Sequence, residues 1–350
     1  MTIHETYMQR CLQLAKLGAG TVAPNPMVGA VLVYNNQIIG EGYHQQYGQA
    51  HAEVNCINSV KQSDKAFIKN STLYVSLEPC AHFGKTPPCV DLIITSRIPT
   101  VVIGCRDSFE QVNGKGIKKL QHAGITVITG VLQQRALDVN KHFFTFHNKK
   151  RPYLILKWAQ TNDGFIAKKD FTAIKISNAL SNRLVHRWRS EAPAILVGYN
   201  TALQDNPSLT NRYWSGNNPI RLVIDRQLQL PVSVKLFDGM VKTIVFNQLK
   251  QQQENNIRFH QLAAEQNLLP TLLTALYQLN IQSVLVEGGA LLLQSFIDQG
   301  YWDEARIITN QTLQTGDGIA APHLKNSQHS SSFYLNNDRI SIYHPTTTNK

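Results

Sequence analysis

The sequence predicts an α/β protein built from two domains. Its 350 residues, 43% of them hydrophobic, are enough to bury two separate cores. In both halves, short apolar runs of strand length alternate with helical patterns, the arrangement that produces sheets covered by helices. The apolar pattern lapses around residues 147–152, which include Asn-Lys-Lys-Arg-Pro. We therefore predict a linker there, joining domains at residues 1–147 and 151–345.

The first half reads as one sheet with helices on both faces. Apolar residues recur at helical spacing over residues 4–17, Pro24-Asn25-Pro26 forces a turn, and Asn35-Asn36 predicts a hairpin. The predicted helices are residues 4–17, 51–60, 89–95, 116–123 and 132–144. The predicted strands are residues 28–33, 37–42, 72–77, 100–104 and 126–129.

The second half repeats the alternation of strands and helices, which again indicates an α/β domain. The predicted strands are residues 153–159, 194–198, 220–224, 243–246, 283–287 and 304–308. The predicted helices are residues 178–190, 268–279 and 291–299. The stretch from Asn326 is rich in Ser, Asn, Gln and Thr. Within it we expect an edge strand at Arg339 to Tyr343 and disorder over residues 345–350.

The charge favours small anionic ligands over nucleic acid. The formal net charge is +11, with 15 Lys+Arg against 9 Asp+Glu in residues 1–150 and 19 against 14 in the remainder. A diffuse excess of this kind suits phosphorylated small molecules. No run of Lys and Arg exceeds three residues (149–151), so we expect no nucleic-acid partner.

The cysteines and the N-terminus indicate a cytoplasmic protein. Five cysteines, an odd number, are spread thinly along the chain, which argues for a reducing compartment and against a disulfide framework. The first residues lack a basic segment followed by an apolar stretch, and no apolar run approaches 18 residues. We therefore expect neither a signal peptide nor a membrane span.

One stretch, residues 49–89, carries the residues of a catalytic zinc site. His51, Cys80 and Cys89 supply one imidazole and two potential thiolates, a set that favours Zn²⁺ with water as the fourth ligand. Glu53 follows His51 at a predicted helix start, where it can reach a metal-bound water and shuttle protons. The alternative, a non-catalytic zinc site, would normally have a fourth protein ligand and would not need Glu53.

The order His-x-Glu followed by Pro-Cys matches the signature of zinc-dependent base deaminases. That signature has two residues between its cysteines, whereas eight separate Cys80 from Cys89 here. The insertion contains His82, Lys85 and Thr86, polar groups that would lie beside the metal, and a lysine there is a natural phosphate partner. In the second half, Glu287-Gly288-Gly289 between a strand and a helix suggests a dinucleotide phosphate bound at a helix start. The full Gly-x-Gly-x-x-Gly pattern is absent, and a glycine pair after a strand is as often a tight turn.

Several stretches together resemble one family, the bifunctional riboflavin-biosynthesis proteins, in which a pyrimidine deaminase is fused to a reductase. The match covers almost the full length apart from the last twenty or so residues, and the long cysteine spacing makes it specific. The matching stretches are residues 24–33, 51–53, 78–89, 151–167, 194–212, 218–225 and 284–296.

For the first domain, the resemblance implies a cytidine-deaminase-like three-layer α/β/α fold. Zinc-activated water would attack the amino-bearing carbon of a diaminopyrimidinone ribotide, and Glu53 would pass a proton to the departing ammonia. The residues implied to hold the base and its ribose phosphate are Asn25, His44, His82, Lys85 and Asp107. As plainer alternatives, Asn25 is only a turn residue and His44 a surface histidine. The family has Asp-Pro-Asn-Pro where this chain has Asp107-Ser108-Phe109-Glu110, so one expected contact is missing or replaced.

For the second domain, the resemblance implies a dihydrofolate-reductase-like α/β/α fold that uses NADPH to reduce the ribosyl side chain to ribityl. The residues implied on the cofactor side are Thr201, Asp205, Gly289, Ala290, Leu291, Leu292, Leu293, Gln294 and Ser295. Those implied to face the substrate are Lys157, Asp163, Arg189, Leu209, Arg212 and Glu287. As alternatives, Arg189 lies on a solvated helix face and Asp163-Gly164 forms a turn. Ala173 and Lys175 stand where the family often has polar and aromatic residues.

The leading hypothesis is therefore a bifunctional enzyme of flavin synthesis that deaminates and then reduces a phosphorylated pyrimidine. The first alternative is a zinc deaminase for a nucleoside or an RNA base, with a second domain that only binds. The second alternative is a nucleotide-binding regulatory protein without turnover, which retention of Glu53 argues against. The resemblance further implies a homodimer or homotetramer.

Overall fold

The computed structural model describes residues 1–84, 86–107, 114–170, 174–263 and 267–346 of the chain. The chain divides into two compact units, Met1–Lys149 and Lys150–Lys350, and each is described by itself. Among the described residues, no helix is both long enough and apolar enough to cross a membrane.

The first unit is built on a five-stranded sheet in the order β2-β1-β3-β4-β5. Strand β1 pairs antiparallel with β2 and β3, whereas β3, β4 and β5 run parallel. The strands are β1 (Gly29–Tyr34), β2 (Gln37–Tyr43), β3 (Thr72–Leu77), β4 (Thr100–Cys105) and β5 (Thr126–Thr129). The helices are α1 (Ile3–Ala15), α2 (Ala52–Asn58), α3 (Cys89–Thr95), α4 (Lys115–His122), α5 (Gln133–Val139) and α6 (Lys141–Lys149), with 3₁₀ turns at Lys16–Gly18 and Gln62–Asn70.

Helices cover both faces of this sheet, which confirms the predicted three-layer architecture. Side chains alternate between the two faces along a strand. In β4, Ile103 joins a core formed with α2, α3 and α4, while the neighbouring Val102 joins the core formed with α1. Helix α1 begins with a capping box in which Thr2 and Glu5 each bond the other's main-chain N–H.

The predicted single helix at residues 132–144 is wrong, because the chain forms two helices that are interrupted at Asn140. The Asn140 side chain accepts a hydrogen bond from the Met27 main-chain N–H and donates one to the Met27 carbonyl, both at 2.8 Å. This pair of bonds fixes the end of the turn that contains Asn25. The predicted linker, residues 147–152, contains the boundary between the two compact units, although α6 continues to Lys149 and the next strand begins at Tyr153.

The second unit is built on a ten-stranded sheet in the order β11-β12-β10-β9-β8-β13-β6-β14-β17-β16. Its strands are β6 (Tyr153–Gln160), β8 (Ala194–Gly198), β9 (Ile220–Ile224), β10 (Thr243–Asn247), β11 (Gln252–Glu254), β12 (Ile257–Gln261), β13 (Ser283–Val286), β14 (Glu304–Asn310), β16 (Ser327–Leu335) and β17 (Asp338–Pro345). A separate pair consists of β7 (Phe165–Ala167) and β15 (Ile319–Ala320). The helices are α7 (Ala179–Glu191), α8 (Tyr199–Gln204), α9 (Leu268–Gln278) and α10 (Ala290–Asp298), with a 3₁₀ turn at Lys235–Phe237.

Strand β6 lies inside this sheet, parallel to β13 on one side and β14 on the other. On one face its residues Leu154 and Leu156 pack with α9 and α10, and on the other face Ile155 packs with α7. The second unit is therefore also a three-layer α/β/α structure, as predicted.

The sequence reading missed β7, β11, β12, β15, β16 and α8. Strand β16 reads Ser-Gln-His-Ser-Ser-Ser-Phe-Tyr-Leu and is almost entirely exposed, so it lacks the apolar alternation that identifies a strand. The predicted strand at Arg339 to Tyr343 exists within β17, but it lies between β14 and β16 and is not an edge strand. Pro345 belongs to β17, and residues 347–350 lie outside the described part of the chain.

Candidate active sites

His51, Cys80 and Cys89 come together in the first unit. Their nearest nitrogen and sulfur atoms all lie within 4.8 Å of one another. The Nδ1 atom of His51 is 3.6 Å from the Cys80 sulfur and 3.3 Å from the Cys89 sulfur. A tetrahedral zinc ion with ordinary bond lengths holds its nitrogen and sulfur ligands about 3.6 Å apart. The three side chains therefore fit zinc, and they leave one position of the tetrahedron free.

Local structure brings these three ligands to one place. His51 is the capping residue of α2, Cys80 follows the end of β3, and Cys89 is the first residue of α3. The Cys89 main-chain N–H donates a hydrogen bond to the Cys80 sulfur at 3.3 Å. Hydrogen bonds from Cys89 and His51 lower the pKa of the Cys80 thiol despite its burial, which favours the thiolate that a metal requires.

Glu53 lies in the first turn of α2, with only 3% of its surface exposed. Burial raises the pKa of its carboxyl group, and the negative charge of Cys80 adds to this effect. A carboxyl group with a raised pKa can both take up and release a proton near neutral pH. Its position two residues after His51 places it beside the ligand cluster without making it a member.

Asn25 and His44 form a hydrogen-bonded chain next to the ligand cluster. The Nε2 atom of His44 is 3.2 Å from the Asn25 amide nitrogen, and its Nδ1 atom is 3.1 Å from the Ala50 carbonyl oxygen. The His44 ring meets the His51 ring edge-on, with centroids 5.2 Å apart. His44 is buried, so the alternative that it is a surface histidine is wrong. Burial lowers its pKa, which matches a neutral ring that donates to Ala50 and accepts from Asn25.

The insertion between the cysteines also contributes polar groups to this region. Thr86 has its hydroxyl oxygen 3.5 Å from the Nε2 atom of His51. His82 is half-buried, and its Nδ1 atom is buried without a hydrogen-bond partner among the described residues. Asp107 is buried just after the end of β4. Lys85 and Phe109 lie outside the described residues.

Glu78, which the sequence analysis did not select as a site residue, holds the main chain around the start of α4 by hydrogen bonds. Its buried carboxylate accepts four main-chain N–H groups at 3.0–3.3 Å, which belong to Asp107, Gly114, Gly116 and Ile117. A negative charge at the start of a helix is stabilised by these free N–H groups, and here the helix is α4. The acid two positions before Cys80 was the only signal of this role in the sequence.

In the second unit, Glu287 forms the centre of a buried charge cluster. Arg189 donates two hydrogen bonds to its carboxylate, from Nε at 2.9 Å and from Nη2 at 2.8 Å, and the Lys157 ammonium lies 3.7 Å away. Burial opposes the charged form of Glu287, but the two cations outweigh it and lower its pKa to about 2. Burial lowers the pKa of Lys157. Arg189 is mostly buried, so the alternative of a solvated helix face is wrong.

His186, also absent from the sequence-based selection, adjoins this cluster. It is 4% exposed, and its Nδ1 atom accepts the Arg212 main-chain N–H at 2.8 Å. Leu209 has a positive φ of 49° and buries its side chain in the core beside β8 and β9, so that side chain is not available to a ligand. His186 had no recognisable pattern in the sequence, because its partner is a main-chain group.

Asp163 and Lys175 have no contact with the Glu287 charge cluster among the contacts that the structure describes. The Asp163 carboxylate accepts hydrogen bonds from the Thr161 hydroxyl and from the main-chain N–H groups of Thr315 and Gly316. It therefore ties the turn after β6 to a second loop, as the turn alternative expected. Lys175 is exposed ahead of α7, and Ala173 lies outside the described residues.

The turn between β13 and α10 has the features expected of a dinucleotide site. Gly289 adopts a positive φ of 77°, and a Cβ atom added at Gly288 would lie 2.8 Å from the Thr201 methyl group. The first intrahelical bond of α10 runs from Leu293 to Gly289, so the N–H groups of residues 290–292 precede the helical hydrogen bonds. The two glycines allow the chain to turn tightly against Thr201, and the free N–H groups at the helix start form a cradle that fits a phosphate of NADPH.

The other residues expected on the cofactor side have mixed surroundings. Leu291 is 77% exposed, Leu292 packs towards Gly198, and Leu293 is buried in the core. The Gln294 amide bonds Asp298 and the main chain of His323, and the Ser295 hydroxyl donates to the Leu291 carbonyl. Asp205 caps the C-terminus of α8, one turn after Thr201. For most of this set, contact with a cofactor would therefore be through main-chain groups.

Two family profiles match the chain. Residues 1–105 match the cytidine and deoxycytidylate deaminase zinc-binding region, and residues 152–328 match the RibD C-terminal domain. The two compact units meet between Lys149 and Lys150, within the stretch of sequence that separates the two matches.

Full-length relatives match across both units. Riboflavin biosynthesis protein RibD from Aquifex aeolicus is 38% identical over 91% of this chain and 89% of its own, and that from Escherichia coli is 34% identical over 86% and 85%. A Thermotoga maritima structure titled diaminohydroxyphosphoribosylaminopyrimidine deaminase/5-amino-6-(5-phosphoribosylamino)uracil reductase is 35% identical with a TM-score of 0.89, covering 98% of this chain and 99% of that one. RibD from Acinetobacter baumannii is 30% identical with a TM-score of 0.89, covering 99% of both chains. With a zinc-fitting cluster in one unit and a dinucleotide cradle in the other, the chain belongs to the RibD family of bifunctional riboflavin-biosynthesis proteins.

Proposed function

We propose that this chain catalyses two consecutive reactions of riboflavin biosynthesis. The first is hydrolytic deamination of 2,5-diamino-6-ribosylamino-4(3H)-pyrimidinone 5′-phosphate, and the second is NADPH-dependent reduction of the ribosyl group to ribityl. The observation that carries the proposal is the zinc-fitting cluster of His51, Cys80 and Cys89 beside buried Glu53. This chemistry matches the deaminase activity in the name of the Thermotoga maritima relative, and that name also includes the reductase activity.

In the deaminase site, His51, Cys80 and Cys89 would hold the zinc ion. Zinc supplies a Lewis acid that lowers the pKa of water into the neutral range. Glu53, whose pKa is raised by burial, accepts a proton from the attacking water and returns it to the leaving nitrogen, which departs as ammonia. Burial of this carboxyl group keeps bulk water away from the proton it carries.

The substrate contacts follow from the polar groups around the cluster. Asn25, oriented by His44, presents its amide to the base, and the buried Nδ1 atom of His82, which has no hydrogen-bond partner among the described residues, would bond a polar group of the substrate. Asp107 and Lys85 complete the set that the family resemblance assigns, with Lys85 as the phosphate partner.

In the reductase site, Lys157, Arg189, Leu209, Arg212, Glu287 and Asp163 form the proposed substrate side. The cofactor side comprises Thr201, Asp205 and residues 289–295. NADPH supplies the hydride for reduction of the ribosyl group. Glu287 stays ionised because Arg189 and Lys157 stabilise its charge, so it can accept hydrogen bonds from sugar hydroxyls.

The two activities are assigned to separate parts of the chain, the deaminase to residues 1–147 and the reductase to residues 151–345. Separation into two compact units at Lys149 and Lys150 supports this assignment. A homodimer or homotetramer and a cytoplasmic location stay predictions.

The proposal is tested by supplying the purified, zinc-loaded protein with the diaminopyrimidinone ribotide, with and without NADPH. We expect ammonia release in both cases and loss of nicotinamide absorbance only after deamination. Ammonia should be measured with an ion-selective electrode, because enzyme-coupled ammonia assays themselves consume reduced nicotinamide.

The outcomes separate the hypotheses. Ammonia release without NADPH oxidation would mean that the first unit is a deaminase and the second unit binds a ligand without catalysis. Deamination of cytidine or adenosine should then be measured, because it tests the alternative of a nucleoside deaminase. Absence of both signals would contradict the proposed function.

A further inference from the structure

Two side chains of helix α7 form hydrogen bonds with the main chain of the segment between α8 and β9. His186 and Arg189 are three residues apart and therefore lie on the same face of the helix. Arg189 donates from Nη1 to the Thr210 carbonyl at 3.2 Å, and His186 accepts from the Arg212 N–H at 2.8 Å. One helix face thus supplies both a donor and an acceptor to the same stretch of main chain.

This stretch depends on such external contacts. Residues 206–212 belong to no helix or strand, and both Asn206 and Leu209 have positive φ angles, 39° and 49°. Non-glycine residues in that region carry conformational strain and persist only when their surroundings hold them. Asn211 is held by its own bonds to Asn218 and Gly216, and the hydrogen bond from the Arg212 N–H to His186 of α7 is the one that holds the last residue of the stretch.

The two arginines at this site are not equivalent. Arg189 is fully engaged, with two nitrogens on Glu287 and the third on the Thr210 carbonyl. The Arg212 guanidinium lies over the Tyr213 ring, 5.8 Å from its centroid, and has no ion pair among the described residues. Arg212 is thus the arginine whose paired donors are available to an incoming phosphate.

His186 can serve as an acceptor throughout the neutral pH range. Burial lowers its pKa to about 4, and the positive charges of Arg189 and Arg212 act in the same direction. The ring therefore stays neutral, with its proton on Nε2 and a free lone pair on Nδ1. An edge-on contact with Tyr213, with centroids 4.6 Å apart, further fixes the plane of the ring.

We propose that His186 is a positioning residue of the reductase site, which fixes the Arg212 main chain so that the Arg212 guanidinium faces the substrate phosphate. This inference rests on the proposed function, and it deepens that function by assigning the phosphate to Arg212 and not to Arg189. His186 itself acts through Arg212 and need not touch the substrate.

The test compares reductase kinetics of H186N, H186L and R212A on 5-amino-6-(5-phosphoribosylamino)uracil and on its dephosphorylated form. Asparagine can place an acceptor near the position of Nδ1, whereas leucine has a similar size but no acceptor. We expect H186L to raise the KM of the phosphorylated substrate about 10-fold, the scale on which small misplacement of a binding group acts. H186N should stay near wild type, and the KM of NADPH and the rate of ammonia release should not change.

Two further results would support the role of Arg212. The effect of H186L should vanish on the dephosphorylated substrate, and H186L combined with R212A should be no worse than R212A alone, since residues that act as a unit are not additive.

Contrary results are distinguishable. If R212A raises the KM while H186L does not, His186 has no positioning role, although the proposed function stands. If neither variant changes the KM, the phosphate assignment of Arg212 fails together with the inference. Equal losses for H186N and H186L, or a parallel loss of NADPH binding, would show a merely structural histidine and overturn the proposal.

Discussion

Glu53 and Glu287 are both buried carboxyl groups, but their neighbours shift their pKa values in opposite directions. Burial dominates at Glu53 and raises its pKa, whereas Arg189 and Lys157 outweigh burial at Glu287 and lower its pKa to about 2. A group of the first kind can exchange protons near neutral pH, and a group of the second kind remains an acceptor of hydrogen bonds. Glu53 is therefore suited to proton transfer in the first unit, and Glu287 is suited to accepting hydrogen bonds in the second.

Replacing Glu53 with glutamine should abolish proton transfer and leave the metal in place. We expect deamination to fall by roughly two or more orders of magnitude, the usual scale for such a group. Zinc content, measured by elemental analysis, should stay at the wild-type value because the three ligands are unchanged. Loss of zinc from E53Q would instead show that Glu53 is a ligand.

The depressed pKa of Glu287 should make the second unit less stable in acid. A carboxyl group with a pKa of about 2 when folded and about 4.3 when unfolded stabilises the fold above the higher value. That contribution, up to about 3 kcal/mol, is lost as the pH falls from about 5 to 2. All four tryptophans lie in the second unit, so urea unfolding followed by tryptophan fluorescence reports on it selectively.

The matched comparison uses E287Q and E254Q, which remove the same charge from a side chain that is only 5% exposed and from an exposed residue. We expect E287Q to be less stable than wild type at pH 7 and the gap to narrow towards pH 3, while E254Q tracks wild type throughout. A constant gap for E287Q would mean that its carboxylate contributes nothing to the pH dependence.

Among the secondary-structure elements, the start of α4 depends on the carboxylate of Glu78. In E78Q, one side-chain oxygen becomes an NH₂ group that faces main-chain N–H groups, so two of the four hydrogen bonds are lost. We expect local destabilisation of about 2–4 kcal/mol. Hydrogen exchange measured by mass spectrometry should show faster exchange at residues 114–117. The control D138N, on the exposed part of α5, should leave exchange there unchanged.

Addition of a single methyl group should also disturb the turn before α10. In G288A, the new Cβ would lie 2.8 Å and 3.0 Å from the side-chain atoms of Thr201 and 3.0 Å from Val197. Such overpacking typically costs about 1–3 kcal/mol of folding stability. Because relief of the clash moves the turn and its free N–H groups, we expect NADPH to bind roughly 10-fold more weakly, which is about 1.4 kcal/mol of binding free energy.

The control for this turn is G198A, whose added Cβ would make only an ordinary contact at 3.6 Å with Leu292. Titration of NADPH by fluorescence would measure both variants. Similar affinities for G288A and G198A would contradict the role of the turn.

The two units differ in how well the sequence predicted their elements. Most helices and strands followed from periodicity, and both three-layer folds are confirmed. Asn140 was an exception, because a side chain that bonds Met27 across the unit interrupts a continuous helical pattern. Strand β16 was another, since an exposed edge strand needs no apolar residues.

Contacts between residues that are distant in the chain also limited what could be predicted about the sites. The grouping of His51, Cys80 and Cys89 could be predicted because their side-chain chemistry is distinctive at short spacing. The partners of Glu78 and His186 are main-chain N–H groups 26 to 39 residues away, which every non-proline residue possesses. A string such as His-Arg-Trp-Arg-Ser-Glu also reads as a solvated surface, although the fold turns His186 and Arg189 towards Glu287.

For the whole molecule, all three zinc ligands lie in one unit and the Glu287 cluster in the other. Removal of zinc with a chelator should therefore abolish ammonia release but preserve reduction of 5-amino-6-(5-phosphoribosylamino)uracil by NADPH. The two rates should be measured on the same chelated sample, and added zinc should restore the first. Parallel loss of reduction would show that the metal also supports the second unit.

The strand order of the second unit bears on when each half can fold during synthesis. The first unit closes its sheet with β5, whereas β6, the first strand of the second unit, pairs with β13 and β14, and β14 in turn pairs with β17. A ribosome must therefore synthesise the chain as far as Pro345 before this sheet is complete. We expect nascent chains stalled between β13 and Pro345 to have a folded deaminase half, while the incomplete reductase half exposes unpaired strands to chaperones and proteases.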